Sequence, residues 1–421
     1  VLTVALFFAA LLGVPLFAVI ATGALAGFWQ AGVDPAIVAI EFYRLAEMPV
    51  LVAIPLFTLA GYLLGESGAP HRLVRLSRAW LGWLPGGTAV MALVTSAFFT
   101  AFTGASGITI IALGALLYPA LAQAGYGERF RLGLITTSGS LGLLFAPALP
   151  LILYAVIAGQ VGTGGDPVSV DAMFRAGVLP GLLMLLALAI FGAWAGRGQA
   201  LVPFRAGEGM AALHEARFDL PLPILVLGGI YGGTFAISEA AAVTAAYVLL
   251  VHVLWRREIP FRRLPGVIRA AMSLVGAILV ILGASLASTN LLIDQGVPQA
   301  LLAHAQTLFT DRLSFLLALN LLLLALGMLL DIFSALVLIV PLLLPIAAGY
   351  GVHPVHLGIL FLANMQLGYL TPPVGMNLFI ASHRFGRDIL TLYRATLPFF
   401  LILLAVVLVI TYWPGLSLAL L

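Results

Sequence analysis

Apolar runs long enough to cross a bilayer recur along this chain, and they differ in where polar or helix-breaking residues interrupt them. Residues 42–64, 174–195, 270–293 and 396–413 read as uninterrupted spans. Segments 1–12 and 14–29, parted by Gly13 and Pro15, predict one kinked helix or two short tilted ones. Segments 89–102 and 108–121 flank Thr103-Gly104-Ala105-Ser106-Gly107. Fourteen residues on each side is short for a crossing, so a re-entrant hairpin over about 88–123 is predicted. A second hairpin, about 315–345, turns near Gly327-Met-Leu-Leu-Asp331.

Each hairpin is followed by an interrupted helix. The first covers about 130–158 and breaks at Ala146-Pro147-Ala148-Leu149-Pro150. The second covers about 354–382 and breaks at Gly368-Tyr-Leu-Thr371-Pro372-Pro373-Val-Gly375-Met-Asn377. Tandem proline removes two backbone donors and unwinds a helix locally, and Gly375 adds backbone freedom. At membrane depth such open backbone persists only where protein buries it or a wet cavity receives it. Secondary transporters build ion and solute sites from discontinuous helices of this kind.

The two halves repeat. Ser67-Gly-Ala-Pro70 matches Gln295-Gly-Val-Pro298, Ala124-Gly-Tyr-Gly127 matches Ala348-Gly-Tyr-Gly351, Leu132-Gly133 matches Leu357-Gly358, and Pro147 matches Pro372, at an offset of 224 to 228. The chain therefore divides into a first repeat, 1–195, a connecting loop, 196–220, and a second repeat, 221–421. With the N-terminus outside and five crossings per repeat, the odd count inverts the second copy. That arrangement leaves sixteen arginines on the cytoplasmic side and only Arg44, Arg175 and Arg312 outside, together with Asp166 and Asp171. The fold class expected is an all-α polytopic membrane protein of two inverted repeats.

Composition agrees: 62% of the 421 residues are hydrophobic and 8% charged. Cysteine is absent, which excludes disulfides, Cys-ligated metal and thiol nucleophiles. All nineteen basic residues are Arg, spread through short loops without the patch that nucleic acid requires. In 68–83, Arg72, Arg75 and Arg78 alternate with Leu73, Leu76, Trp80 and Trp83, which predicts an amphipathic helix in the interface anchored by its tryptophans. The chain opens within an apolar run that reads as a span, not as a signal peptide.

Asp331 is the acidic residue placed most plainly inside the bilayer, and two readings stand. It caps a helix within the hairpin, or it ligates a cation with Ser334, Thr371 and carbonyls freed between Gly368 and Pro373. Hard oxygen donors without His or Cys nearby suit sodium better than a transition metal. The first hairpin offers Thr103, Gly104, Ser106 and Thr109, and a second cluster, Thr136, Thr137, Ser138, Gly139 and Ser140, precedes its broken helix's prolines. Asn364 and Asn377 either meet a polar solute or tie down freed backbone. Glu239 reads as a first-turn helix acid, and His353 and His356 as solvated loop residues. No HExxH and no paired membrane aspartates point to an enzyme, so no catalytic residue is expected.

At these residues the chain resembles the large membrane (M) subunit of tripartite ATP-independent periplasmic (TRAP) transporters. The similarity is carried by Ile54-Pro55-Leu-Phe-Thr-Leu-Ala-Gly61, Leu84-Pro85-Gly86-Gly87, Gly327 to Asp331, Pro354-Val-His356-Leu-Gly358, and Leu370-Thr371-Pro-Pro-Val-Gly375-Met-Asn377-Leu-Phe379. Two motifs depart from the common pattern: the first tip reads Thr103-Gly104-Ala105 followed by Thr109-Ile110, and the first break has a single proline, Ala146-Pro147-Ala148. The resemblance implies an elevator-type fold of the ion-transporter kind in the bacterial inner membrane, and the arginine bias described above puts the N-terminus on the periplasmic side. It implies sodium-coupled uptake of a carboxylate without further cofactor. The expected partners are a small four-helix membrane subunit and a periplasmic binding protein. By position, sodium falls to Thr103, Gly104, Ser106, Gly327, Asp331, Gly368 and Thr371, and solute to Ser138, Gly139, Ser140, Asn364, Pro372 and Asn377. The alternative is a stand-alone ion-coupled carboxylate carrier of the same architecture; a channel or an intramembrane hydrolase fits the inverted, broken helices less well.

Overall fold

The structure, a computed structural model, describes residues 2–161, 168–197 and 204–421; Asp166 and residues 198–203 of the connecting loop lie outside the described residues. Among the described residues every regular element is helical. The first repeat runs α1 (Leu2–Leu11), α2 (Leu16–Gln30), α3 (Ala36–Ala46), α4 (Ala53–Glu66), α5 (Ala69–Leu81), α6 (Gly87–Thr103), α7 (Ser106–Gln123), α8 (Glu128–Ser138), α9 (Leu149–Val161) and α10 (Val170–Ala195). The connector contributes α11 (Ala206–Glu215). The second repeat runs α12 (Pro221–Tyr231), α13 (Ile237–Val248, continued by a wider turn to Trp255), α14 (Leu264–Asp294), α15 (Val297–Leu308), α16 (Arg312–Leu329), α17 (Ile332–Gly349), α18 (Pro354–Gly368), α19 (Met376–Phe385), α20 (Ile389–Tyr412) and α21 (Gly415–Leu418). Eight of these helices, counted with the short turns that extend them, are long and apolar enough to cross a membrane, and α8 and α9 form a further pair bent by 42°.

The duplication reappears as helix boundaries. The second hairpin arm moves from 106–123 to 332–349, a shift of 226, and the helix after it starts at 128 and again at 354, the same shift. Both breaks contain a cis peptide bond before proline, Ala146–Pro147 and Pro372–Pro373. The copies differ at one long element. α14 is continuous for 31 residues, whereas its counterpart is divided into α3 and α4 by the turn at Met48–Pro49. Proline cannot donate into a helix and disfavours helical backbone in the residue before it, which is why the span expected over 42–64 is interrupted. The basic stretch 256–269 runs into the start of α14 from Leu264 onward.

The hairpin arms are longer than expected, 17 and 18 residues in the first and 18 and 18 in the second. At about 1.5 Å per residue these arms reach roughly 27 Å, so length alone does not separate them from crossing helices. The re-entrant reading rests on the first tip instead, where Thr103 is 0% and Ser106 6% exposed, since a crossing hairpin would present its turn to water.

Packing forms two groups. Helices α2, α4, α13 and α14 pack on one another, while both hairpins, both broken helices, α10 and α20 form the other group. Within the second group the repeats interlock crosswise: α7 packs on α19 and α17 on α9. Every residue of α18 from Val355 to Gly368 is buried, so no face of it meets lipid. The groups touch where α4 meets α6 and α14 meets α17. The α4 contact requires glycine, because a Cβ on Gly61 would lie 2.4 Å from the Phe102 carbonyl oxygen and 2.6 Å from the Thr103 Cα.

Candidate functional site

The first unit is held together by hydroxyls and close backbone. Thr100 donates to the Gly139 carbonyl (2.9 Å), so the 2.7 Å contact between Thr100 and Thr109 leaves Thr109 as its donor. Gly104 turns the tip at φ +63°, and Thr103 bonds weakly across it to the Ala105 carbonyl (3.4 Å). A Cβ on Gly139 would sit 2.5 Å from Ile110, and one on Gly142 2.2 Å from the Ala97 carbonyl. The break therefore lies directly on the hairpin. Ser138 bonds to Ser96 (3.1 Å) and Ser140 to the Thr137 carbonyl (3.4 Å). Ser106 opens α7 behind Ala105, whose methyl cannot accept the free N–H groups of the helix end.

The second unit answers the same need with a carboxylate. One Asp331 oxygen accepts the N–H groups of Phe333 and Ser334, both at 3.0 Å, and the other accepts the Ser334 hydroxyl. The capping reading of Asp331 is thus what its hydrogen bonds describe, while its second oxygen and the Ser334 lone pairs keep acceptor capacity. The Tyr369 hydroxyl accepts the Ile332 N–H (2.7 Å), tying the broken helix to the same tip. Gly327 and Gly368 let α16 and α18 cross backbone to backbone, since a Cβ on Gly368 would be 2.5 Å from the Gly327 Cα. Beyond the break Gly375, at φ +53°, donates to the Met328 carbonyl (3.2 Å), and the Asn377 N–H donates to the Tyr369 carbonyl (3.2 Å). The Thr371 hydroxyl is turned back onto the Leu367 carbonyl (2.9 Å), and Pro372 is half-buried in the break.

Asn377 joins the units. Its amide nitrogen donates to the Thr136 carbonyl (3.1 Å) and to the Ser140 hydroxyl (3.2 Å), across the two broken helices. The Asn377 Oδ1 and the neighbouring Thr137 hydroxyl are buried without a protein partner. Buried polar groups in that condition are normally satisfied by water or a bound molecule.

Asn364 does not join this meeting point. Its amide nitrogen is spent on Asn320 Oδ1 (2.7 Å) and the Leu360 carbonyl (2.9 Å), and Asn320 also accepts from Thr411 (3.1 Å). This is a structural amide cluster among α16, α18 and α20. His353 is exposed as expected, but His356 is fully buried, between Ser417 (3.1 Å) and the Thr411 carbonyl (3.4 Å). The helix starts at Pro354 and turns His356 inward. Glu239 reaches back to the Ala236 N–H (2.9 Å), the first-turn role expected of it.

Two features escaped the sequence reading. Gln366, two residues beyond Asn364 in the buried α18, has both polar atoms without a protein partner, and its presence in an apolar run was a usable signal. The other is an ionic knot at the ends of the spans. Arg72 forms a two-point pair with Asp219 (2.6 and 3.0 Å) and a further bond to Glu258 (2.6 Å), which also accepts from the Gly68 N–H (2.9 Å) and contacts His252 (3.0 Å) and Arg256 (3.3 Å). Burial works to raise the Glu258 pKa, but hydrogen bonds from His252, Arg72 and the Gly68 N–H, with the charge of Arg72, outweigh it and hold the carboxyl at about 2. The knot fastens the start of α5 and the end of the connector to the second repeat.

Over residues 1–416 the chain matches the family described as tripartite ATP-independent periplasmic transporter, DctM component. It is 35% identical over 393 residues to the C4-dicarboxylate TRAP transporter large permease protein DctM of Rhodobacter capsulatus, covering 91% of this chain and 89% of that protein. It is 34% identical over 414 residues to the isethionate TRAP transporter permease protein DctMQ of Oleidesulfovibrio alaskensis, where 96% of this chain spans 63% of the relative's length. Among solved structures, the YdaH transporter of Alcanivorax borkumensis shares the fold with a TM-score of 0.63 at 16% identity, over 90% of this chain and 87% of that one.

Proposed function

The chain belongs to the DctM-component family of tripartite ATP-independent periplasmic transporters, and from that premise we propose that it carries out sodium-coupled uptake of a small organic anion by an elevator movement. It is a multi-pass membrane transporter component and not an enzyme. In this reading the group holding both hairpins and both broken helices moves as a unit against α2, α4, α13 and α14. The solute binds at the junction of the two breaks, where the free Thr137 hydroxyl can donate to its anionic group and the unpartnered Asn377 Oδ1 can accept from a solute hydroxyl or a bridging water, beside Ser140. Sodium binds beside it, at Thr103 to Ser106 with the first break, and at Asp331 with Gly327, Gly368 and Thr371 at the second.

The observation that carries the reading is the reach of Asn377 from the second break to the first. One bound molecule there contacts both repeats, so binding and the movement of the whole group become one event. Support for a carboxylate or similar anion comes from the relatives, named for C4-dicarboxylates and for isethionate. Following the family name, a periplasmic binding protein delivers the solute, and a small membrane subunit completes the inner-membrane complex.

The test is uptake into proteoliposomes of a panel containing C4-dicarboxylates, isethionate and other small organic acids. It is run with and without an inward sodium gradient, and with and without the co-purified periplasmic partner. Uptake that needs both is the expected result. Sodium-driven uptake without the partner would replace the tripartite reading by the stand-alone carrier, and uptake indifferent to sodium would remove the coupling.

A further inference from the structure

A cavity of about 500 Å³ opens between the two helix groups, close to one membrane face. Its walls are the last turn of α4 (Tyr62, Gly65, Glu66), the part of α7 just past the first hairpin tip (Ile108, Ile111, Ala112) and the start of α14 (Val267, Ala270). Arg262 and Arg263 stand at its mouth; both are exposed, and neither forms an ion pair among the described residues. They immediately precede the N-terminus of a 31-residue helix, and although its first N–H groups are largely spent (Pro265 has none, and those of Gly266 and Val267 bond to the Arg263 carbonyl), the positive end of the helix dipole adds to the two guanidinium charges. Gly266, one turn in, leaves open space where a side chain would stand. Glu66 lines the same cavity, so the three charges leave a net charge of plus one at the rim.

A mostly apolar trough with a cationic mouth at a membrane face has the chemistry of a phospholipid, with its single negative phosphodiester at the mouth and its acyl chain inside. We propose that this cavity is a phospholipid site: Arg262, Arg263 and the α14 N-terminus hold the phosphate, and one acyl chain lies along Ile108, Ile111, Ala112 and Val267. The site needs only that the protein spans a membrane, which stands apart from the solute and sodium readings. Its position carries a consequence for both. The chain would lie between α4 and α14 on one side and α7 on the other, within a turn of Ser106, next to the contact of Gly61 with Phe102 and Thr103. A lipid there fills the gap between the two groups where the hairpin tip meets α4, so its presence stabilises that arrangement over any in which the groups have shifted.

The test compares lipid retention in the wild-type protein with two variants, Arg262→Gln/Arg263→Gln, which changes only exposed side chains, and Ala112→Trp, which fills the trough. Each is purified in detergent, delipidated and checked by size exclusion, then analysed by native mass spectrometry after exposure to phosphatidylglycerol, phosphatidylethanolamine or phosphatidylcholine vesicles. One tightly held phospholipid on the wild type, with occupancy down about tenfold in either variant that elutes as the wild type does, is the expected result. Equal occupancy in all three proteins would overturn the proposal. A separate arm adds glycerol 3-phosphate and the uptake panel's organic acids: failure to displace the lipid supports a membrane source. Displacement by the free anion would show that the cavity is an anion vestibule and not a lipid site.

Discussion

The two hairpin-and-break units share a backbone plan and differ in what meets the end of the second arm. In the first, α7 starts behind Ala105 and its N-terminal N–H groups have no side-chain cap among the described residues. In the second, Asp331 caps α17 with a full negative charge. The free end of α7 therefore keeps its positive character, while that of α17 is neutralised in advance. A cation is favoured beside the second tip, where a carboxylate oxygen retains a lone pair, whereas the sodium proposed at Thr103 to Ser106 would have only neutral hydroxyl and carbonyl oxygens to hold it. Symmetry of backbone thus coexists with different electrostatics, and the two proposed sodium sites should differ in how strongly they hold the ion.

The sharpest way to break this comparison is Asp331→Asn. Sodium-driven uptake should fall on the order of 100-fold, because a charged ligand is lost, while the amide oxygen still caps α17 and stability falls by only about 1 kcal/mol. The matching change at the first tip, Ala105→Asp, should give α7 the cap it lacks and tighten sodium binding there, measured by sodium titration of the purified complex. Stable protein with unchanged uptake in the first case and unchanged sodium affinity in the second would mean that the tips do not differ electrostatically.

The backbone symmetry is tested by Gly142→Ala and Gly368→Ala, positions related by the shift of 226. Each new methyl would meet backbone at 2.2 or 2.5 Å, so both should destabilise by roughly 2–3 kcal/mol in thermal unfolding. A smaller effect is expected of Asn377→Leu. Losing its bonds to Thr136 and Ser140 should cost about 1–2 kcal/mol, read as a tenfold weaker solute affinity with sodium affinity nearly unchanged.

The smallest effect lies at the knot. The Glu258 carboxyl is held at about 2 in the folded chain, below its unfolded value. Its stabilising contribution is therefore complete above about pH 4.5 and is lost as the pH falls toward 2. Glu258→Gln should flatten the acid limb of the thermal-stability profile over that interval and leave the neutral limb parallel to the wild type. Because Glu258 is partly exposed, solvent screening keeps the change small.

Much of this protein is local and therefore legible in its sequence. Hydrophobic length sets the spans, Pro147, Pro372 and Pro373 set the breaks, and the pairs of matching segments set the duplication, because each depends on residues close together in the chain. Even there, the arm length misled: helix continues closer to the first tip than the hydroxyl-rich sequence suggests, since Thr100 and Thr103 bond within the fold. What only the tertiary structure decided is which polar groups meet. Asn377 reaches Thr136 and Ser140 across 241 and 237 residues, and Arg72 reaches Asp219 and Glu258 across 147 and 186. Asn364, equally polar and thirteen positions earlier in the same broken helix, finds Asn320 instead. A buried hydrogen-bonding group takes whatever partner the packing of the helices brings within about 3 Å, and that packing is fixed by the whole set of apolar faces and glycine crossings rather than by the residues beside it.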